Sequence, residues 1–314
     1  MISIVIPTHS RSAHLREAIE GVLAQTYPDW ELLLVDDGST DETASVIARY
    51  AARDGRIRAL HQAHRGISAA RNVGMRRARG ALIAFLDDDD RWLPGYLDAQ
   101  VTFLGEHPEC GWAFTFAYQI DGQGRRTGAI VPHRCRTSLA HLLSWRSMWL
   151  PSQTVVRREC LQAAGEFDER IPVTQDRDLW IRLIYRYPVG QVPSVQVEYR
   201  EHRGGISKNR RLKIADYITI LKKLRHDPPP GVSSGWCARE AGRLHYQLAW
   251  ESLDGARYAD AAHHFLGAVT VRPDIGLRMP RRQPRPAAFR LLAPYLGVGY
   301  ALARAAIKRG ASHG

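Results

Sequence analysis

Four consecutive carboxylates, Asp87, Asp88, Asp89 and Asp90, are the residues of this sequence with the most evident chemistry. They follow residues 82–86, an apolar run of strand length, so they should lie where a buried strand ends. Two unit charges about 6 Å apart repel by roughly 3 kcal/mol at an effective dielectric constant near 20, so a partly buried row of four favours a bound cation. Hard oxygen ligands suit Mg²⁺ or Mn²⁺ better than Zn²⁺. The alternative is a solvated acidic turn that caps the next helix.

Polar residues also follow two other predicted strands. Thr8 comes after the apolar run at residues 2–6, and Asp36 and Asp37 come after the run at 31–35. In a doubly wound sheet the carboxyl ends of the parallel strands meet at one edge, where ligands bind. Three polar clusters at that edge indicate a binding site.

Strand and helix patterns alternate along the first 110 residues. The predicted elements are strand 2–6, helix 12–25, strand 31–35, a helix from Thr40 or Asp41 to about 52, strand 57–61, helix 68–78, strand 82–86 and a helix that starts at Pro94. Such alternation predicts an α/β fold with a largely parallel sheet. Further along the chain, the pattern predicts strands at 112–120, 128–131 and 189–199 and a helix at 176–187.

Together with further motifs, these residues resemble the inverting family 2 glycosyltransferases of the GT-A fold. The motifs occur in the family's order: Ser-Ile-Val-Ile-Pro-Thr at 3–8, Gln-Thr-Tyr at 25–27, Val-Asp-Asp-Gly-Ser-Thr-Asp at 35–41, Gly-Ile-Ser-Ala-Ala-Arg-Asn at 66–72, the Asp run, Gly-Glu-Phe-Asp-Glu at 165–169 and Gln-Asp-Arg-Asp-Leu-Trp at 175–180. The resemblance implies a doubly wound mixed sheet flanked by helices. It also implies transfer of a monosaccharide from a nucleotide-diphosphate sugar to a hydroxyl group, with inversion.

The resemblance assigns roles in donor binding. Asp37 would hydrogen-bond the nucleotide base, and Pro7 and Thr8 would line the same pocket. Arg71 would lie beside the base or the diphosphate, where a fixed guanidinium gives directional bonds to an anion. Asp88 would contact the ribose or support the metal ligands.

The resemblance also implies a metal site. Asp87 and Asp89 match the Asp-x-Asp signature, and Asp89 would be the direct ligand of Mn²⁺ or Mg²⁺. The metal would bridge the diphosphate oxygens and stabilise the leaving group. Asp90 remains unassigned, as a ribose contact or a support of the ligands. His202 matches a loop that closes over the diphosphate, which gives it a metal or phosphate role.

Asp176 matches the family's catalytic base, which takes the proton from the attacking hydroxyl. Its alternative role is a helix N-cap. Asp178 would serve the structure or orient the acceptor. Two positions depart from the family pattern, since Gln175 replaces a Glu before the base, and His9 begins a His-Ser pair where Tyr-Asn is usual.

The net charge of +12 lies entirely in the last third of the chain. Residues 1–205 hold 25 Arg and 25 acidic residues, whereas residues 206–314 hold 19 Lys plus Arg and 7 acidic residues. A basic region of this kind can contact anionic membrane surfaces. Because the sequence has no apolar run of transmembrane length and its four cysteines are widely spaced, we expect a cytoplasmic protein with peripheral contact at the inner membrane face.

We predict three segments. Residues 1–205 would form the GT-A nucleotide-sugar glycosyltransferase domain, and residues 206–236 a basic, Pro-containing linker. Residues 237–314 would form a basic, mainly helical extension with one tetratricopeptide-like helix pair and an amphipathic C-terminal helix. The acceptor would be a glycan or lipid-linked intermediate of cell-surface polysaccharide, lipopolysaccharide or glycolipid synthesis.

Two other function classes match part of this sequence pattern. A nucleotidyltransferase acting on a sugar phosphate would also combine an α/β nucleotide domain with acidic metal ligands, but its Gly-rich phosphate loop and lysine are missing, and no lysine precedes Lys208. A nucleic-acid-binding protein could use the basic last third. That region has no recognition motif or interleaved stacking aromatics, so we expect no nucleic-acid partner.

Overall fold

A computed structural model of the chain describes residues 1–131, 137–144, 149–201 and 208–271. The chain divides into two compact units, Met1–Lys208 and the part that begins at Asn209. His202 and the predicted amphipathic C-terminal helix lie outside the described residues.

A mixed sheet, nine-stranded within the described residues, forms the centre of the first unit. Its strands are β1 (Ile2–Thr8), β2 (Trp30–Asp36), β3 (Ile57–His61), β4 (Leu82–Phe85), β5 (Arg91–Trp92), β6 (Trp112–Ile120), β7 (Arg126–Val131), β8 (Thr154–Arg157) and β9 (Val189–Arg200). The spatial order is β3-β2-β1-β4-β8-β6-β9-β5, with β7 beside β6. This arrangement confirms the predicted α/β class with a doubly wound mixed sheet.

Helices flank this sheet. They are α1 (Ser12–Leu23), α2 (Thr43–Arg53), α3 (Ile67–Arg77), α4 (Tyr96–Glu106), α5 (Leu139–Leu143), α6 (Arg158–Ala164) and α7 (Gln175–Ile184). Every residue of β1 and β2 is buried, as expected for parallel strands that are covered on both faces. The apolar stripe of α1, at Leu15, Ala18, Ile19 and Val22, belongs to the same core.

The sheet changes direction at its centre. Strands β3, β2, β1 and β4 are parallel, whereas β8 runs antiparallel between β4 and β6. The parallel register sets Thr8 beside Asp36, and the Leu86 amide donates to the Val5 carbonyl at 3.1 Å. Thr8, the Asp36-Asp37 pair and the start of the Asp run therefore lie at one edge of the sheet.

The second unit contains three helices within the described residues, α8 (Arg210–His226), α9 (Ser234–Asp254) and α10 (Tyr258–Val271). Asn209 and Ser233 cap α8 and α9, each with a side-chain oxygen that accepts an amide hydrogen bond from the first turn. Helices α9 and α10 pack through aromatic contacts, including Trp250 against Phe265 at a ring-centroid distance of 5.5 Å.

The segment for which the sequence predicts a basic linker, 206–236, contains α8. Although this segment is rich in basic residues, α8 has an apolar stripe that includes Ile214, Ile218 and Leu221, all buried. The prolines lie after the helix, at residues 228–230, and mark only its end. No helix among the described residues is long and apolar enough to span a membrane.

Candidate active site

Asp37 is a buried carboxylate held by three donors. The amides of Arg65 and Gly66 each donate to it at 2.8 Å, and Gln62 Nε2 donates at 2.6 Å. Gly66 has a φ of +92°, a conformation that glycine adopts readily, and this turn before α3 aims its N–H at Asp37. Burial acts to raise the pKa of Asp37, but these hydrogen bonds outweigh it and hold the pKa below its ordinary value. Asp37 is therefore a fixed, ionised acceptor.

Arg71, on α3, is a buried cation at the centre of this edge. Its side chain is 1% exposed and its Nη2 bonds to Asp87, while its Nε and Nη1 have no hydrogen-bond partner among the described residues. Its Cζ lies 5.3 Å from the Phe167 ring centroid. A buried guanidinium with unpaired donors is unfavourable, so an anionic ligand that accepted these hydrogen bonds would be stabilised here.

Asp88 and Asp89 share one arginine nitrogen. Arg11 Nη1 lies 3.1 Å from Asp88 Oδ1 and 2.6 Å from Asp89 Oδ2, and Thr8 Oγ1 donates to Asp88 Oδ2 at 2.7 Å. Burial and the neighbouring charge of Asp89 raise the pKa of Asp88 to about 7, despite the opposing effect of Arg11. Two carboxylate oxygens thus converge on a cation and still carry excess negative charge, so this pair of oxygens fits a divalent ion of the Mg²⁺ or Mn²⁺ class.

The Asp90 carboxylate bonds different partners from those of Asp88 and Asp89. Ser152 Oγ donates to Asp90 Oδ2 at 2.5 Å, and the Arg200 amide donates to Oδ1 at 2.9 Å. The side chain is 1% exposed, and burial followed by the charges of Asp89 and Asp87 raises its pKa well above the ordinary value. These contacts fix Asp90 to the segments that contain Ser152 and Arg200.

Asp176 lies in the first turn of α7 and is 5% exposed. Burial raises its pKa to about 6, although Arg71 and the Arg177 amide, which donates to Oδ1 at 2.8 Å, act to lower it. The charge of Asp87 also acts on this carboxyl. Asp176 therefore lies close to the Arg71–Asp87 pair. Asp178 instead bonds to Arg182 at 2.9 Å, one turn further along the helix.

The structure brings together most of the site residues that the sequence predicts. Thr8, Asp37, Arg71, Asp87, Asp88, Asp89 and Asp176 all lie at this edge or in direct electrostatic contact with it. Pro7 lies inside β1, buried, opposite Val35 of β2. The predicted role of His202 falls outside the described residues.

Sequence reasoning missed the residues that support this set. Arg11 bonds Asp88 and Asp89, and Gln62 bonds Asp37. Ser152 and Arg200 bond the neighbouring Asp90, the latter from 110 residues away along the chain. Only Arg11 gave a local signal, because it follows the first motif directly and precedes α1. Ser152 lies where the motifs are sparsest, between β7 and β8.

Comparison with known proteins identifies the family. The model of the family described as Glycosyl transferase family 2 matches residues 3–157. These residues belong to that family. An O-antigen biosynthesis protein, RfbC of Myxococcus xanthus, is 36% identical over 187 residues, which cover 58% of this chain and 14% of RfbC.

Two solved structures share the GT-A fold of this chain. S. aureus TarS 1–349, in complex with UDP-GlcNAc, superposes with a TM-score of 0.66 at 14% identity, over 98% of this chain and 92% of that one. The mannosyltransferase PcManGT of Pyrobaculum calidifontis, in complex with GDP-Man and Mn²⁺, gives 0.56 at 19% identity, over 98% and 86%. The chain spans between 34% and 54% of the length of three of its most similar curated relatives.

Proposed function

We propose that this chain transfers a monosaccharide from a nucleotide-diphosphate sugar to a hydroxyl acceptor with inversion at the anomeric carbon. The observation that carries the proposal is the buried Arg71, which bonds Asp87, lowers the pKa of Asp176 by its charge and has two nitrogens without a hydrogen-bond partner among the described residues. One residue thereby connects the Asp run to the candidate base.

In this proposal Asp37 accepts a hydrogen bond from the nucleotide base, beside Thr8 and Pro7. Its fixed ionised state suits an N–H donor of the base, because an ionised carboxylate only accepts hydrogen bonds. Arg71 donates to the diphosphate and neutralises part of its charge. The UDP-GlcNAc bound by TarS and the GDP-Man bound by PcManGT support a nucleotide-diphosphate sugar as the donor class.

Asp89 and Asp88, with Asp87 beside them, would hold the divalent cation. When bound, the ion supplies positive charge at the departing diphosphate. The Mn²⁺ in the PcManGT complex supports a metal of this type. Asp90 keeps the turn in position through Ser152 and Arg200.

Asp176 would act as the single base. Its pKa of about 6 leaves it ionised at neutral pH and more basic than an ordinary carboxylate. An inverting displacement needs one base on the acceptor side to take the hydroxyl proton as the new glycosidic bond forms and the bond to the diphosphate breaks. The O-antigen role of RfbC supports a cell-surface glycan or lipid-linked intermediate as the acceptor.

The excess charge of residues 206–314 supports peripheral contact with anionic membranes. Co-sedimentation with phosphatidylglycerol vesicles at low salt tests this part, with neutral vesicles as control. Absence of co-sedimentation at low ionic strength would exclude it.

The donor half is tested by thermal shift with UDP, GDP, CDP and dTDP, each with and without Mn²⁺. We expect one diphosphate to raise the melting temperature, and to do so more with Mn²⁺. The catalytic half is tested by release of that diphosphate from its sugar conjugates in the presence of membrane glycolipid extracts. The Asp176→Asn variant should keep the thermal shift and lose turnover.

Glu166→Gln provides the matched control, because Glu166 is an exposed carboxylate paired with Arg76. It should keep both properties. No shift with any of the four diphosphates would refute the donor assignment, and normal turnover by Asp176→Asn would remove the base role.

A further inference from the structure

Two histidine rings lie over the Asp37 backbone and carboxylate. His9 and His64 have ring centroids 4.1 Å apart at an angle of 31°. His9 Nδ1 lies 2.8 Å from the Asp37 carbonyl oxygen, and His64 Nδ1 lies 3.1 Å from the same oxygen and 2.9 Å from Asp37 Oδ2. Two imidazole nitrogens thus converge on two oxygens of one residue.

This donor set differs in kind from the Asp run. The Asp run offers oxygen atoms alone, which suit Mg²⁺ and Mn²⁺, whereas two imidazoles and a carboxylate suit Zn²⁺ and its neighbours among the transition metals. One ligand atom from each of His9, Asp37 and His64 lies within 4.8 Å of the others. Tetrahedral zinc with bonds of 2.0–2.1 Å places its ligand atoms about 3.3 Å apart, so a small ring movement would close the site.

The two histidine rings can move to close the site, whereas Asp37 is held in place. Both histidine rings are exposed, the His64 side chain to 61%, so they can rotate. Asp37 is fixed by Gln62 and by the amides of Arg65 and Gly66, which orient its carboxylate as outer-shell groups orient metal ligands. Each ring can ligate a metal through Nδ1 when that nitrogen carries no proton, since Nε2 can carry the ring proton instead.

We propose that His9, Asp37 and His64 form a binding site for a transition-metal ion of the Zn²⁺ class, and that this ion and the nucleotide compete for Asp37. The competition rests on the proposed function, in which Asp37 contacts the base. The metal site itself is independent of the proposed function. An ion here would make donor binding sensitive to free transition metal.

Metal binding is measured first, on the full chain after chelator treatment and desalting. Zn²⁺ is titrated by calorimetry, and Co²⁺ is titrated in parallel because its visible absorption reports nitrogen and oxygen ligation. We compare the wild type with His9→Gln, His64→Gln and the double variant. All of these are surface substitutions, and the melting temperature of each confirms folding.

His61→Gln is the matched control. His61 is also an exposed histidine beside a buried Asp, with Nδ1 3.3 Å from Asp36 Oδ2, but it lies outside the cluster. We expect the wild type and His61→Gln to bind one ion alike, and the single variants to bind about tenfold or more weakly. Absence of saturable binding by the wild type, or equal Zn²⁺ affinity in the double variant, overturns the proposal.

Competition is measured next, as the affinity for the diphosphate found by thermal shift, in Mg²⁺ buffer with increasing Zn²⁺. Zn²⁺ should lower this affinity in the wild type and in His61→Gln, but not in the double variant, which also controls for Zn²⁺ complexation by the nucleotide. Histidine-dependent Zn²⁺ binding that leaves nucleotide affinity unchanged would refute the competition. If no diphosphate binds, the proposed function fails, and the metal site is judged on the first titration.

Discussion

Arg11 Nη1 lies 2.6 Å from Asp89 Oδ2, and the same nitrogen bonds Asp88 Oδ1 at 3.1 Å. An arginine directly before α1 thus partly neutralises the two carboxylates that we propose as the cation site. Its side chain is 45% exposed, so it can leave toward solvent without disturbing the core. A metal ion that takes these oxygens has to displace it.

We therefore predict that Arg11→Gln binds Mn²⁺ more tightly. Exposed ion pairs contribute about 0.2–1 kcal/mol each, so removing the two pairs that Arg11 forms should tighten Mn²⁺ binding about two- to thirtyfold. Free Mn²⁺ measured by electron paramagnetic resonance, without nucleotide, gives the affinity. Arg16→Gln is the control, since Arg16 lies on the same helix and pairs with Glu42 at 3.7 Å instead. Unchanged or weaker Mn²⁺ binding by Arg11→Gln would contradict the prediction.

We further predict an acid limit on catalysis set by Asp176. Burial raises the pKa of this carboxyl to about 6, so the base is increasingly protonated as the pH falls through 6. In the free enzyme, kcat/KM should fall about tenfold per pH unit below that value and level off above it. Initial rates between pH 5 and 8 at low donor concentration measure this profile, with Glu166→Gln expected to follow the wild type. A flat profile down to pH 5 would exclude Asp176 as the base.

Much of the fold follows from local sequence patterns. The strands predicted at 57–61 and 112–120 have those bounds in the structure. The longer one is a largely apolar run between polar turns. The four-residue β8 was not predicted. It is short, it follows Pro151, and it becomes a strand by pairing antiparallel with β4 and β6, a tertiary contact without a local signature.

The site residues also fall into two groups, those that the sequence predicts and those that only the fold brings together. The carboxylates could be found from the sequence because they follow strands directly, as Asp37 and the Asp run do. Their partners could not, because a bond such as that between Ser152 and Asp90 joins residues 62 positions apart. Spacing along the chain reports which strand end a residue occupies, but not which distant side chain the fold brings to it.

Asp90 gives a third prediction, on stability. Because burial raises its pKa in the folded state, its ionised form is favoured in the unfolded chain, and its contribution to stability declines as the pH rises above its unfolded pKa. Asp90→Asn should therefore be at least as stable as the wild type at pH 8, with a smaller advantage at pH 6. An amide can accept from Arg200 N and donate to Ser152 Oγ.

Asp90→Ala is the comparison that isolates those bonds. It leaves the Arg200 amide and the Ser152 hydroxyl without their acceptor, so it should be less stable than Asp90→Asn by about 1–3 kcal/mol. Urea unfolding at pH 6 and pH 8 measures the three proteins. Equal stability of the Ala and Asn variants would show that the bonds contribute nothing.

A fourth prediction concerns the helix pair of the second unit. His245 on α9 is 4% exposed and its ring lies against Gly267 of α10, where an added Cβ would come within 2.7–3.0 Å of ring atoms. Its Nδ1 lies 3.2 Å from His264 Nδ1. Burial, aided by Lys222 and His264, lowers the pKa of His245 to about 3. The ring is therefore neutral in the folded protein throughout the physiological range.

A lowered folded pKa means that the unfolded state binds the extra proton. The contribution of neutral His245 to the free energy of unfolding is therefore fully present above the unfolded pKa, near 6.5. It falls as the pH drops below that value, by about 2 kcal/mol at pH 5. Hydrogen exchange of central α9 amides at pH 7.5 and pH 5, corrected for intrinsic rates, should show this loss of protection. In His245→Gln the loss should be smaller, whatever the variant's absolute stability, because the replaced group no longer titrates. His263→Gln removes an exposed neighbour with the smallest effect on that pKa and should retain most of the loss. The same retention in His245→Gln would assign the pH dependence to other groups.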